Sequence, residues 1–369
     1  MSATFRDWVN PQILTQPVYE GGKPIERVAA EFGLDPSHVA KLASNENFLG
    51  PSPMAVRAMQ DALEKVHLYP DGNGTFLIEA IAKKRGVSPD QVILGNGSNE
   101  VLELVARAFL NNTNEAVFGE YGFIVYRLVT LLHGAAVTSV SMHGYAHDFD
   151  ALLAAISEKT RIVFIASPNN PTGLPDDPGD VYRFVEALPD HVLLVYDEAY
   201  AEYLDAPVDL LPYIKSGRKI LCTRTFSKIY GLGGLRLGYG YGDPDLIALL
   251  NRIREPFNVN MLALAAGEAA LDDEDFVLRS RAGARSGIQQ LTEGLKRLGL
   301  KIYPAASNFV LCEVQDPQGK FVALQKEGVI VRPLAPYGLK NHLRITVGSH
   351  EENERLLAKM KSILQKTTK

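Results

Sequence analysis

Three polar runs and one Gly-rich turn carry groups able to bind and transform a charged ligand. Thr225-Phe226-Ser227-Lys228 offers a hydroxyl and a primary amine. Apolar and Gly-rich neighbours around Lys228 predict a tuned amine rather than a solvated surface charge. Asp197-Glu198-Ala199-Tyr200 offers a carboxylate and a phenol. Asp197 follows an apolar run, so its charge is partly desolvated and calls for a cationic partner. Taken alone, it would serve equally well as a strand-end cap. Ser167-Pro168-Asn169-Asn170-Pro171-Thr172-Gly173 adds an amide at Asn170, although Asn170 to Gly173 by itself is only a turn. Gly95-Asn96-Gly97-Ser98-Asn99-Glu100 is a Gly-rich turn opening a helix, a place suited to phosphate. An ordinary strand–helix turn has the same composition. It is not a dinucleotide fingerprint, because Glu100 stands where the third glycine belongs. Gly231-Leu232-Gly233-Gly234-Leu235-Arg236 fails the same test, and no P-loop pattern occurs.

The elements that must position these groups read clearly between about residues 90 and 225. Val92 to Leu94 is a strand, and Ser98 is placed to cap a helix with apolar positions Val101, Leu102, Val105, Ala108 and Phe109. Ala116 to Phe118 and Ala136 to Val140 are strands, separated by a helix from Phe123 to His133 with Gly134 at its end. A further helix is predicted over Phe149 to Ile156. Arg161 to Ala166, Val192 to Tyr196 and Lys219 to Thr223 are apolar on both faces. Such runs predict strands buried between helix layers, hence an α/β fold with a mostly parallel sheet. The polar runs then stand at the C-terminal ends of those strands, where open α/β sheets bind ligands. Beyond residue 255 one long helical stretch is predicted to about Leu298. Strands follow at Asn308 to Val314, Val329 to Val331 and His342 to Val347, with a helix near 317–327 and another from Glu351 to Leu364. This predicts a large domain over 46–275 and a smaller α+β domain made of 1–45 and 276–369.

Composition excludes several classes. The 369 residues exceed what one small core organises. Hydrophobic residues make up 46% and charged ones 22%, which excludes a disordered chain. A net charge of −5 argues against a nucleic-acid surface. Two cysteines, Cys222 and Cys312, cannot build a disulfide framework or a cysteine-rich metal site. The histidines contain no H-E-x-x-H. His143 and His147 flank Gly144 in a polar turn and read as surface residues, so no metal site is expected. No apolar run approaches a membrane span, and the start MSATFRDWVN carries no signal-peptide pattern. The expectation is a cytoplasmic enzyme.

A lysine amine, a carboxylate, a phenol, an amide, an aromatic ring and a phosphate cradle with a hydroxyl and a guanidinium together match the needs of pyridoxal 5′-phosphate. With these motifs in this order, the chain resembles the aspartate-aminotransferase superfamily of fold type I. Within it, the chain is most similar to the histidinol-phosphate aminotransferases. The resemblance runs from Asn45-Glu46-Asn47 to Leu343-Arg344-Ile345-Thr346-Val347-Gly348.

The resemblance implies roles residue by residue. Lys228 matches the lysine that carries the cofactor and shuttles the substrate proton. Asp197 matches the carboxylate that keeps the ring nitrogen protonated. Tyr200 and Asn170 match the pair that hydrogen-bonds the ring O3′. Tyr121, in Glu120-Tyr121-Gly122, falls where an aromatic stacks on the ring. Ser98, Asn99, Ser227 and Arg236 match the phosphate contacts. Tyr69, in Leu68-Tyr69-Pro70, matches a tyrosine that reaches the neighbouring subunit's phosphate, which implies a homodimer with shared active sites. Arg344 matches the arginine that holds the substrate anion. Arg332 and Tyr19 match additional contacts to a substrate phosphate. Phe48 stands where the family loop usually has proline, at the substrate entrance.

The implied reaction is transamination between L-histidinol phosphate and 2-oxoglutarate, giving imidazole acetol phosphate and L-glutamate. An aromatic amino-acid aminotransferase is the alternative, followed by a decarboxylase of a phosphorylated amino acid. A non-catalytic module fused to a transcription regulator is disfavoured, because no helix-turn-helix extension or basic arm is present.

Overall fold

The structure, a computed structural model, describes residues 3–19 and 21–367. The first strand, β1 (Ala40–Lys41), leads into the Asn45 loop. The strands β2 (Val92–Asn96), β3 (Glu115–Gly119), β4 (Ala136–Val140), β5 (Thr160–Ala166), β6 (Leu193–Asp197), β7 (Ile220–Thr225) and β8 (Leu237–Gly242) then form one sheet, ordered β2-β8-β7-β6-β5-β3-β4. The pairs from β4 to β7 are parallel, and β8 runs antiparallel to both its neighbours.

The parallel arrangement follows from burial on both faces. Along β5, Val163 and Ile165 join the hydrophobic cluster on one face, and Ile162, Phe164 and Ala166 join the cluster on the other. A side-chain period of two with both faces apolar is what a sheet covered by helices requires. Register then sets the site. Ala166 pairs with Asp197, and Asp197 with Thr223, so β5 and β6 end level and β7 runs only two residues further, to Thr225. The polar runs begin there.

The second sheet is built from β9 (Lys301–Ile302), β10 (Phe309–Glu313), β12 (Arg332–Pro333) and β13 (His342–Thr346), in the order β12-β13-β10-β9. β11 (Val329–Ile330) pairs instead with β1, in parallel. A separate hydrophobic cluster holds this part together, joining Ala40 and Leu42 to Val310, Ile345, Leu356 and Met360. No helix among the described residues is long and apolar enough to cross a membrane.

Four expectations need correction. The stretch predicted as one helix to Leu298 is two, Met261–Asp272 and Glu274–Arg297. Asp273 breaks it, accepting from the Phe276 amide as an N-cap. The helix Ser98–Phe109 is not capped by Ser98; Gly97, at φ 79°, occupies the cap position and Ser98 is the first helical residue. Val329 to Val331 is not one self-contained strand, because the chain changes sheet after Ile330. His147 is not a surface residue. Its side chain is buried, and its Nδ1 lies 2.9 Å from the equally buried Asp176 carboxylate, which compensates it.

Candidate active site

The ends of β5, β6 and β7, the Asn45 loop and β13 enclose a cavity of about 250 Å³. Lys228, Asp197, Tyr200, Asn170, Ser98, Asn99, Ser227, Arg236, Tyr19, Arg332 and Arg344 all line it. These residues span more than three hundred positions of sequence.

Asp197 closes β6 and is buried. Tyr126 donates its hydroxyl to Oδ2 at 2.9 Å, and the Ala199 amide donates to Oδ1 at 3.1 Å. Burial pushes the carboxyl up to about 6, against the pull of those donors. Its neighbour Glu198 is neutralised by Arg224 at 2.7 Å and accepts from Tyr241. Asp197 has no salt-bridge partner among the described residues. It is therefore the buried acid that a cation in the cavity would satisfy.

Lys228 lies three residues beyond β7. Its Nζ donates to the Ser44 carbonyl at 3.3 Å and lies 5.9 Å from the centroid of the Tyr200 ring. Burial and then the Arg344 charge bring the amine down to about 8, with Glu46 pulling the other way. An amine that loses its proton that near neutrality is a competent nucleophile. Tyr200 is buried, its hydroxyl is pushed up to about 12 by burial, and it accepts from the Asn45 side-chain amide at 2.8 Å.

At one end of the cavity the helix Ser98–Phe109 presents its N-terminus. Arg236, in the left-handed region at φ 57°, donates to Ser227 Oγ at 3.4 Å and to the Gly233 carbonyl at 3.2 Å. Glycines make room for this cradle. A Cβ on Gly97 would stand 2.5 Å from the Arg236 guanidinium, and one on Gly238 would overlap the Ser98 amide. Backbone amides at a helix N-terminus with a guanidinium opposite form an anion site.

At the other end Arg344 donates to Asn170 Oδ1 at 2.6 Å and to the Ala43 carbonyl at 2.7 Å. Its buried Nε has no acceptor among the described residues. Arg332 sits directly across the β12–β13 pair from Arg344, and its Nη2 lies 3.5 Å from the Tyr19 hydroxyl. Two guanidiniums brought face to face across a strand pair make a positive face suited to an anion.

Two predicted residues stand elsewhere. Tyr121 does not line the cavity; Phe123 does. The tight turn closed by the Gly122 amide on the Gly119 carbonyl sends the Tyr121 ring to Tyr145, 5.6 Å away, and toward Gly338. Tyr69 also lies outside, 82% exposed and stacked on Phe257 at 4.9 Å. Sequence reasoning missed Phe123, Tyr126, Tyr337 and Asn45. Phe123 was visible as the second aromatic of the same run. Tyr126 sits among apolar helix positions, and its partner is 71 residues away.

The cavity fits pyridoxal phosphate. It combines a buried acid for a ring N–H, a tuned lysine, a glycine-built phosphate cradle and a second anion site. Among the described residues no cluster suits a metal ion.

A family model for class I and II aminotransferases matches residues 37–360. The chain is 48% identical over 354 residues to histidinol-phosphate aminotransferase 2 of Nitrosospira multiformis, covering 95% of this chain and 90% of that protein. It is 49% identical over 352 residues to the histidinol-phosphate aminotransferase of Methylobacillus flagellatus, covering 95% of both. Among solved structures, histidinol-phosphate aminotransferase from Sinorhizobium meliloti in complex with pyridoxal-5′-phosphate superposes with a TM-score of 0.89, at 27% identity over 99% of each chain. The aspartate aminotransferase of Thermus thermophilus with maleate shares the fold, with a TM-score of 0.83 at 22% identity, over 96% of this chain and 99% of that one.

Proposed function

From the premise that this chain belongs to the class I and II aminotransferase family, we infer its reaction. It transfers the amino group of L-histidinol phosphate to 2-oxoglutarate, giving imidazole acetol phosphate and L-glutamate, a step of histidine biosynthesis. The cofactor is pyridoxal 5′-phosphate. When bound, it supplies an electron sink for charge developing at the carbon that bears the amine.

The chain's own residues divide the remaining work. Lys228 provides the amine that anchors the cofactor and then moves the proton at the amine-bearing carbon. Asp197 holds a proton on the ring nitrogen, because its buried charge is stable only beside a cation. Tyr200 and Asn170 face the ring hydroxyl. Ser98 and Asn99 amides, Ser227 and Arg236 bind the cofactor phosphate. Phe123, in place of Tyr121, is the aromatic wall.

One observation carries the donor assignment. Among the described residues, the cavity lining holds four cationic side chains, Lys228, Arg236, Arg332 and Arg344, against one carboxylate, Asp197. The Arg236 end suits one phosphate. The opposed Arg332 and Arg344, with Tyr19 beside them, suit a second dianion better than a single carboxylate. A donor that carries phosphate and no carboxylate meets that demand. In the return half-reaction the glutamate carboxylates use the same arginines, mainly Arg344.

Supporting features complete the reading. The separate clusters on the large sheet and around Val310 and Ile345 favour a large domain over 46–275 and a small one over 1–45 and 276–369. Residues 1, 2, 20, 368 and 369 of that division lie outside those described. The exposure of Tyr69, stacked on Phe257 outside its own chain's cavity, favours a homodimer with shared sites as the working form. The enzyme works in the cytoplasm.

The test is steady-state kinetics of wild type and Arg332→Gln with histidinol phosphate, glutamate, phenylalanine and tyrosine. Losing one charge-assisted contact to phosphate costs about 2–3 kcal/mol, or roughly 30- to 150-fold in specificity constant. Histidinol phosphate should suffer that loss and glutamate much less. A wild type that strongly prefers phenylalanine or tyrosine would defeat the phosphate reading of Arg332.

A further inference from the structure

Asn45 does not touch the proposed phosphate sites, yet it is 1% exposed and lies against the cavity. Four hydrogen bonds surround it. Its backbone amide donates to Thr346 Oγ1 at 2.9 Å, and Thr346 Oγ1 donates back to Asn45 Oδ1 at 3.0 Å. Its Nδ2 donates to the Tyr200 hydroxyl at 2.8 Å, and Asn308 donates to its carbonyl at 3.0 Å. In this arrangement Thr346 Oγ1 donates to the amide oxygen and the amide NH2 faces Tyr200.

The residue type follows from this geometry. Asn45 has φ 56°, in the left-handed region. Glycine, asparagine and aspartate accept that conformation most readily. Glycine has no side chain to offer, and an ionised aspartate can only accept. Asparagine alone of the three meets the backbone, the threonine and the tyrosine together. Because the Tyr200 oxygen accepts from Asn45, the phenol's own proton is turned away from Asn45, toward the cavity. Arg344, Asp197 and Tyr337 are the other groups acting on that phenol, and Lys228 lies beside its ring.

Thr346 stands two residues beyond Arg344 on β13, so both side chains project from the same face of the strand. We propose that Asn45 is a positioning residue for the reaction. Its amide sets the direction in which Tyr200 donates its proton, and through Thr346 it ties that direction to the strand that carries Arg344. An anion drawn to Arg344 thus acts on the same strand that holds Asn45 and, through it, Tyr200. The inference rests on the reading that pyridoxal phosphate fills the cavity with its ring hydroxyl facing Tyr200.

The test follows the visible absorbance of the cofactor-loaded enzyme against pH. Donation from Asn45 polarises the Tyr200 hydroxyl and strengthens its bond to the ring oxygen. Removing it should let the protonated form persist to higher pH. Asn45→Gly keeps the backbone conformation and should raise the midpoint by about 0.5–1 pH unit, the worth of one neutral hydrogen bond. Asn45→Asp should raise it further, by adding charge and by accepting the phenol's proton. Thr346→Val should shift it the same way, while Thr346→Ser should restore the wild-type value. An unmoved midpoint in a loaded Asn45→Gly enzyme overturns the proposal. If that variant fails to fold or to hold cofactor, the Thr346 pair decides. A rise with valine and not with serine supports the proposal, and an unmoved midpoint with valine overturns it. A wild type with no visible band would instead overturn the cofactor reading itself, and the inference with it.

Discussion

Asp197→Asn should make the cofactor-free protein more stable near neutral pH while destroying its activity. The wild-type carboxyl is buried and shifted from its ordinary 3.8 up to about 6. A group raised in the fold contributes stability that is fully present below its unfolded value, near 3.8. That contribution is lost as pH rises through about 6. The interval between the two values corresponds to roughly 3 kcal/mol. Asparagine does not titrate, so the difference between the two proteins isolates this one site. Between about pH 4 and pH 7 the balance should move by that amount in favour of the variant, and then level off. Urea unfolding of both cofactor-free proteins across that range measures it. Loading the cofactor should reverse the order, because only the carboxylate can pair with a protonated ring nitrogen. Turnover of the loaded variant should fall by several orders of magnitude, each tenfold being ~1.4 kcal/mol of barrier. A stability difference that stays flat with pH would refute the argument. So would a variant less stable than wild type at pH 8 without cofactor.

Three further outcomes are expected. Lys228→Ala should lose the visible absorbance of the bound cofactor and nearly all turnover; wild-type activity in that variant would remove Lys228 from the chemistry. Mixing Tyr69→Phe with Lys228→Ala subunits should partly restore activity, because one site of each hybrid dimer then carries neither lesion. No recovery despite demonstrated subunit exchange would mean that Tyr69 serves its own chain. Gly283→Ala should lower the melting temperature although alanine favours helix, since its Cβ would stand 2.7 Å from the Phe48 ring. Overpacking costs about 1–3 kcal/mol against a helix gain of about 1, so pairing it with Phe48→Leu should recover stability.

The fold was legible where strand burial and local composition agree. β5, β6 and β7 each carry an apolar run buried on both faces, and each could be placed to within two residues. β8 was not seen, because Leu237-Gly238-Tyr239-Gly240-Tyr241-Gly242 reads as a flexible, turn-rich run. Its glycines answer a tertiary demand. Gly238 lies against the Ser98 amide, and a Cβ on Gly240 would stand 2.9 Å from Val101. Close approach to the helix at the phosphate cradle overrides strand propensity there. The same holds for His147, whose polar turn reads as surface until Asp176, 29 residues on, folds against it. The switch of sheet after Ile330 is likewise invisible locally, since β11 and β12 are separated by a single residue.

The site divides along the same line. Most of the polar residues proposed to touch the cofactor were readable, because they follow the end of an apolar strand, and burial at a strand end makes such a group costly unless it is used. Residues that orient those groups were not. Tyr126 reads as core, yet its hydroxyl is one of two donors holding Asp197. Tyr121 and Phe123 are both aromatic and two positions apart, and only the turn at Gly122 decides which ring faces the cavity. Asn45 sits in a polar loop whose composition explains itself as a loop. Its partners Tyr200 and Thr346 lie 155 and 301 residues away. Sequence chemistry therefore finds groups whose burial demands a reason. It passes over groups whose burial is already satisfied by distant partners, and in this cavity those include the residues that aim the reactive ones.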